Sequence, residues 1–232
     1  RRNLNDAAWR LPVVFDNRFA SLRLTQRLNA DWSLQLQAGL QRARTDDRIA
    51  FPFGCFAADT YDRYCADGSF DLYDFRSENE RRRTDALDIG ARGRLDIAGT
   101  RHALQAGLLR TRYVQRMQLQ AYNYAGTGQV DGSALTPAAP TPADQNTQRD
   151  EHASEVYLRD HVSLSSGWSV WAGLRHVRLD RSAVRTNGSR ATRYEQSFTT
   201  PWLALGVELA PGQLAYASWG RGAESEVAPN RA

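Results

Sequence analysis

The chain has 232 residues, of which 41% are hydrophobic and 10% aromatic, and it carries a net charge of +4 in which every basic residue is Arg. That aromatic content excludes a disordered chain. No run approaches the roughly 18 apolar residues of a membrane helix, whereas a β-barrel, whose strands are only half apolar, stays open. Acids nearly balance the arginines and both are spread along the chain, which disfavours a nucleic-acid partner. The chain opens at Arg1, its only methionine is Met117, and it ends at Ala232 without a closing strand. No basic, apolar and small-residue series marks a signal peptide. A piece of a longer protein is the expectation.

In chain order, alternation rather than helical spacing carries the signal. Residues 1–17 are ambiguous, since Pro12 within Leu11–Phe15 argues against a central strand. After a strand near 18–28 and a turn at Asn29-Ala30-Asp31, Trp32, Leu34, Leu36, Ala38 and Leu40 fall on one face. Ser33, Gln35, Gln37, Gly39 and Gln41 fall on the other. One wholly apolar face backed by amides and glycine suits hydrocarbon on one side and water on the other. Residues 43–84 read as a long polar loop. From 84 to 97, Leu87, Ile89, Ala91, Leu95 and Ile97 oppose Asp88, Arg92, Arg94 and Asp96, the expected lumen-facing charges.

Ala98-Gly99-Thr100 turns the chain into a strand at 101–116, where Leu104, Ala106 and Leu108 alternate with Gln105 and Gly107. A second long loop is expected over 114–150, with Thr136–Thr147 as an extended tip. Strands follow at 151–164 and 168–179, joined at Ser165-Ser166-Gly167. Asp160 falls on the apolar face of the first, which a bulge or an interfacial position would accommodate. Trp32 and Trp168 each open a strand after a short turn, as in an interfacial aromatic belt; ordinary sheet packing is the alternative. A third loop at 180–196 precedes strands at 197–209 and 213–221. In the last of these, either the Leu214/Tyr216 face or the Ala215/Ala217/Trp219 face could be apolar.

Short turns rich in Gly, Pro, Asn and Asp thus alternate with long loops. The expected fold class is all-β: an antiparallel transmembrane β-barrel segment of about eight strands. Short turns would lie at its periplasmic end and long loops outside. Eight strands could close a small barrel; a fragment would leave exposed edges.

Three stretches carry a resemblance. Glu155–Asp160 turns into Trp168-Ser169-Val170-Trp171-Ala172-Gly173-Leu174-Arg175-His176. Phe198-Thr199-Thr200-Pro201 follows the third loop. Leu214-Ala215-Tyr216-Ala217-Ser218-Trp219-Gly220 runs into Glu224–Asn230. Together, over about 155–232, they resemble the barrel of TonB-dependent outer-membrane receptors of the ferric-siderophore type, with Ala223 where that family usually has Phe. Residues 18–116 match only in hairpin style. The resemblance implies a plugged barrel in the bacterial cell outer membrane, energised by the TonB complex through an N-terminal plug that this chain lacks. It implies no cofactor and no enzymatic activity. Residues 1–232 are then expected to be part of such a barrel, without plug or closing strand.

Cys55 and Cys65, the only cysteines, share the first long loop and are expected to form a disulfide, two free thiols being the alternative. Tyr61, Arg63, Tyr64, Tyr73 and Arg76 in that loop, with Tyr122 and Tyr124 in the second, suit an anionic aromatic iron chelate through stacking and charge. Ordering of the loop or contact with lipopolysaccharide are the alternatives. Arg81-Arg82-Arg83 reads as a solvated surface, a phosphate contact to lipopolysaccharide or a lumenal ligand contact. The expected function is TonB-dependent uptake of a ferric siderophore or similar nutrient, with outer-membrane lipid and lipopolysaccharide as surroundings. A β-barrel enzyme would need His with an acid or Ser at one rim, and Asp160 and His161 point to opposite faces of a regular strand. A soluble β-rich binding module would need the apolar faces to meet in a core.

Overall fold

The computed structural model describes residues 12–133, 141–164 and 167–223. Leu11, Pro137, Pro140, the Ser165-Ser166 turn and the Glu224–Asn230 motif lie outside the described residues. Among the described residues, nine antiparallel strands form one sheet: β1 (Val14–Arg27), β2 (Trp32–Pro52), β3 (Ser69–Ile97), β4 (Thr100–Arg116), β5 (Gln120–Gln129), β6 (Thr147–Ser163), β7 (Trp168–Arg185), β8 (Thr192–Ala210) and β9 (Gln213–Gly220). The order is β1-β2-β3-β4-β6-β7-β8-β9, with β5 paired to the far end of β3. The sheet is open, and β1 and β9 are its edges.

All of the roughly eight expected strands are present; several are longer than expected and a ninth, β5, joins them. Much of the 43–84 loop is strand, because β2 runs on to Pro52 and β3 starts at Ser69. β5 arises inside the expected 114–150 loop, and the 180–196 loop shrinks as β7 and β8 extend toward each other. The polar residues of these extensions do not alternate with apolar ones, so period-two patterning could not find them. β1 begins at Val14, two residues after Pro12, where the missing N–H no longer interrupts a ladder.

The short turns follow their sequence. Ala98 and Gly99 both adopt positive φ (50° and 79°), as a two-residue hairpin turn matched to strand twist requires. Asn29 Oδ1 accepts the amides of Asp31 (2.9 Å) and Trp32 (2.8 Å), closing the first turn.

Pairing register fixes the two faces. Leu24, Leu36, Ile89, Leu108 and Val156 align across β1, β2, β3, β4 and β6. On β7, β8 and β9 the same face carries Val170, Leu205 and Ala217. This settles β9: Ala215, Ala217 and Trp219 share the apolar face, opposite Leu214 and Tyr216. The apolar residues sit nearer the short turns on the later strands, so the band crosses the sheet obliquely, as tilted barrel strands require. Leu108, Val156 and Leu203 are each at least 50% exposed, so no second layer covers this face. The buried apolar cluster is small (Ala50, Phe70, Leu72) and lies in the distal end of β2 and β3, beyond the band. The apolar faces therefore do not meet in a core as a soluble module would need.

Asp160 is not excused by a bulge. β6 stays in unbroken register with β4 and β7. Its carboxylate is instead hydrogen-bonded to His102 Nδ1 at 2.7 Å on the same face. The bond relieves part of the cost of two polar groups against apolar surroundings, while the other carboxylate oxygen, Asp160 Oδ1, is buried without a partner among the described residues.

Candidate ligand-binding face and mouth

The face opposite the apolar band is polar. Near its middle, Arg23, Gln35, Gln37, Asp88, Arg92 and Tyr157 line a recess of about 110 Å³. Tyr157 starts on β6, crosses β4 above Gly107 and donates its hydroxyl to Asp88 on β3 at 2.9 Å. The ring is buried in this slot, and a Cβ on Gly107 would stand 2.5 Å from its hydroxyl oxygen. Of the expected lumen-facing residues, Asp88 and Arg92 line the recess. Arg94 lies 3.8 Å from Asp31 and donates to the Ala30 carbonyl at 3.3 Å; Asp96 lies 3.6 Å from Arg101. Those two therefore belong to the short-turn end. Sequence reading passed over Tyr157, because nothing in the spacing marks a ring that bridges three strands. The glycines on the facing strands were the available signal.

Toward the distal end an extra β3 residue shifts the β2–β3 register between Thr45 and Asp47. Asn79 takes positive φ there (54°), and its amide donates to Asp46 Oδ1 at 2.6 Å. β2 itself has no inserted residue, so alternation keeps Phe51 on the face of Gln35 and Gln37. Here the rings gather. Phe51 stacks on Tyr73 (centroids 6.3 Å), Tyr73 on Tyr122 (5.8 Å), and Tyr124 meets Tyr73 edge-on (5.7 Å). Phe53 joins Tyr61 to the group at 6.1 Å. Packing among these rings pushes the Tyr73 phenol upward, with Asp71 adding to it, so it stays a neutral donor.

Tyr61, Tyr73, Tyr122 and Tyr124 are thus brought together, and the other expected contacts are not. Tyr64 packs on Phe70 at 5.0 Å, away from the ring cluster. Arg63 is exposed and 3.9 Å from Asp62. Arg76 is engaged with Glu78 at 2.5 Å. Hydrogen bonding from Arg48, then from Arg76, outweighs burial and holds the Glu78 carboxyl at about 2. A disulfide joins Cys55 to Cys65, with Cα atoms 5.1 Å apart, and ties the segment that carries Tyr61 and Tyr64. Arg81, Arg82 and Arg83 split by alternation: Arg82 pairs with Glu80 at 2.8 Å, while Arg81 and Arg83 point to the opposite face.

No His–acid–Ser group forms at a rim among the described residues. His161 stacks on Trp171 (4.8 Å, 2° between planes), and the His102–Asp160 pair lies on the apolar face. The described residues hold no cluster of three or more metal-ligating side chains. Trp32 and Trp168 sit on the apolar face beside the short turns, Trp32 lying over Gly93.

Comparison with known proteins agrees with this architecture. The family model "TonB dependent receptor-like, beta-barrel" matches residues 1–230. Among solved structures, the ferric-catecholate import receptor Fiu of E. coli K12 superposes with a TM-score of 0.75 at 11% identity, over 90% of this chain and 33% of that one. The siderophore receptor PiuA of Acinetobacter baumannii gives 0.71 at 12% identity, over 89% and 32%. The ferric preacinetobactin receptor BauA of the same organism gives 0.68 at 14%, over 89% and 30%. These likenesses are of fold. The chain spans about a third of the length of each of these structures. No curated protein matches by sequence.

Proposed function

This chain belongs to the TonB-dependent receptor-like β-barrel family, and from that premise we propose that it forms part of the wall of an outer-membrane receptor for a ferric siderophore. Members of this family are outer-membrane transporters of Gram-negative bacteria rather than enzymes. The chain would act within a larger barrel, driven by the TonB complex through a plug. The long-loop end faces the outside, and the short turns face the periplasm.

One observation supports the ligand class most directly. A single sheet face leads from the Phe51–Tyr73–Tyr122–Tyr124 ring cluster down to the recess lined by Arg23, Arg92 and Tyr157. Flat rings suit an aromatic chelator through stacking, the neutral Tyr73 phenol supplies a hydrogen-bond donor, and guanidinium groups below suit its negative charge. The ligand would be captured at the mouth by the rings and drawn toward the arginines. Cells carrying the gene that encodes this chain should take up labelled ferric catecholate chelates. Uptake should fall when Tyr73 and Tyr122 are both changed to Ala. Uptake unchanged by that double substitution would refute the assignment of the mouth.

A further inference from the structure

The segment between β2 and β3 has two halves that are held differently. Residues 55–60 form a hydrogen-bonded turn. The Cys55 amide donates to the Thr60 carbonyl (2.7 Å), the Thr60 amide to the Cys55 carbonyl (3.1 Å) and the Asp59 amide to the Phe56 carbonyl (3.0 Å). The Asp71 carboxylate on β3 accepts the Phe56 amide. Gly54 takes positive φ (70°), and a Cβ there would stand 2.7 Å from Tyr61 Cα, so the chain sets Tyr61 down directly on Gly54. From Tyr61 to Tyr64, by contrast, no backbone-to-backbone hydrogen bond forms among the described residues. The next anchor is Cys65, whose amide donates to the Ser69 carbonyl at 2.8 Å.

This unsupported stretch carries two rings with different seats. Tyr61 meets Phe53 at 6.1 Å, and Phe53 meets Tyr73 edge-on at 5.7 Å, which brings Tyr61 to the edge of the ring cluster. Tyr64 packs on Phe70, part of the buried cluster with Ala50 and Leu72. Asp62 and Arg63 between them are exposed. The Cys55–Cys65 disulfide joins the two anchors across a sequence separation of 10. Without that bond, the 55–60 turn and the turn at Cys65 are separate structures at a loop tip, each resting on a few hydrogen bonds and free to open by itself. Only ring contact would then keep Tyr61 on Phe53.

We propose that the disulfide is a positioning device for Tyr61, and that capture at the mouth therefore depends on the redox state outside the cell. In the oxidised form Tyr61 extends the ring surface beyond Phe53. A low-molecular-weight thiol opens the bond by exchange, entering at Cys65, which is less buried than Cys55. Two thiols supply two electrons and two protons, the Sγ–Sγ bond breaks, both cysteines become thiols, and the reductant leaves as its own disulfide. Tyr61 then loses its fixed seat. The ring surface shrinks to Phe51, Tyr73, Tyr122 and Tyr124, which sheet register holds in place. The inference rests on the reading of the ring cluster as the ligand mouth.

The test measures binding of gallium tris-catecholate, a redox-inert chelate, to the receptor purified in detergent from its own outer membranes. Binding is compared before and after reduction with a small thiol that is then removed under argon. Reduction should weaken binding about tenfold, within what chain entropy allows for a loop this short. Cys55→Ser with Cys65→Ser should bind as weakly as reduced wild type and ignore the thiol. Tyr61→Ala, which keeps the disulfide, should lose the same affinity and also ignore the thiol, because both changes remove one contact. Trypsin cleavage after Arg63 gives a readout without ligand and should be about tenfold faster in the reduced form. Heat-modifiable migration on gels confirms that each form is folded. Binding lost in Tyr73→Ala but unchanged by reduction would overturn the positioning role and leave the mouth in place. An equal loss on reduction in wild type and Tyr61→Ala would also overturn it, since the disulfide would then act other than through Tyr61. Equal cleavage rates in the two redox states would do the same. No binding by oxidised wild type, or binding unaffected by Tyr73→Ala, would overturn the mouth reading and this inference with it.

Discussion

Tyr157 on β6 reaches across β4 to hydrogen-bond Asp88 on β3, 2.9 Å away, and it does so through a gap that Gly107 leaves open. Three strands are thereby tied together on the polar face at mid-height, where the recess lies. The relationship explains a glycine in mid-strand, a position that otherwise weakens a strand.

Gly107→Ala should therefore act as a packing lesion. The added methyl would stand 2.5 Å from the Tyr157 hydroxyl and 2.8 Å from the Ile89 carbonyl oxygen, so both the ring and the strand backbone must give way. We expect a loss of about 1–3 kcal/mol. Tyr157→Phe, which removes a bond to a charged acceptor, should cost about as much. The double variant should cost less than the sum, because both break one arrangement. Denaturant titration of the folded barrel measures all three.

Closing the short Cys55–Cys65 loop should stabilise the distal segment by about 2–3 kcal/mol on the chain-entropy argument. Reduction, or Cys55→Ser with Cys65→Ser, should raise amide exchange over residues 53–69. Exchange in the mid-sheet residues 86–91 should stay unchanged. Mass-spectrometric hydrogen exchange with and without reductant reads both regions at once.

Glu78 sets an acid limit on the same distal segment. Its carboxyl is held at about 2 against an ordinary 4.5 by hydrogen bonds from Arg48 and Arg76, and its side chain is 28% exposed. A depressed carboxyl stabilises the folded form fully above its unfolded value and loses that contribution as pH falls through the folded one. Protection of residues 72–78 should thus be flat above about pH 5 and decline between there and about pH 2, by on the order of 3 kcal/mol. Glu78→Gln should remove this increment at pH 7 and match wild type near pH 2. Exchange measured across that range decides it.

The ring cluster carries its own prediction. Tyr73 contacts Phe51, Phe53, Tyr122 and Tyr124, so Tyr73→Ala should weaken siderophore binding tenfold or more, about 1.4 kcal/mol. Tyr64→Ala should have little effect, since that ring packs against Phe70 instead. Fluorescence-quenching titration with a ferric catecholate distinguishes them.

The parts of this fold that were legible in the sequence are those where water and hydrocarbon alternate. From Trp32 to Leu40 and from Leu87 to Ile97 each residue's chemistry states its face. The continuation of β2 through Asp47, Arg48 and Ile49 could not be read that way. There both faces meet polar surroundings, and ion pairs such as Arg48–Glu78 replace the apolar contrast. The disulfide partners were found by counting, because two cysteines allow one pairing. Which tyrosines would meet was hidden, since Tyr73 and Tyr122 come together only through the β3–β5 pairing. Asp160 interrupts the apolar face of β6 with no local explanation because its partner, His102, lies 58 residues away.

The most direct test of the account is face-by-face accessibility of the sheet. Single cysteines introduced at Leu36, Ile89 and Leu158, and at Gln37, Asp88 and Arg159, in a background with Cys55 and Cys65 changed to Ser, would be labelled in intact outer membranes with a membrane-impermeant maleimide and with a lipid-soluble quencher-linked reagent. The first three should resist the maleimide and report the lipid reagent, and the second three should do the opposite. Equal labelling of the two sets by the aqueous reagent would contradict a membrane-barrel wall and, with it, the assignment of mouth, lumen and lipid face.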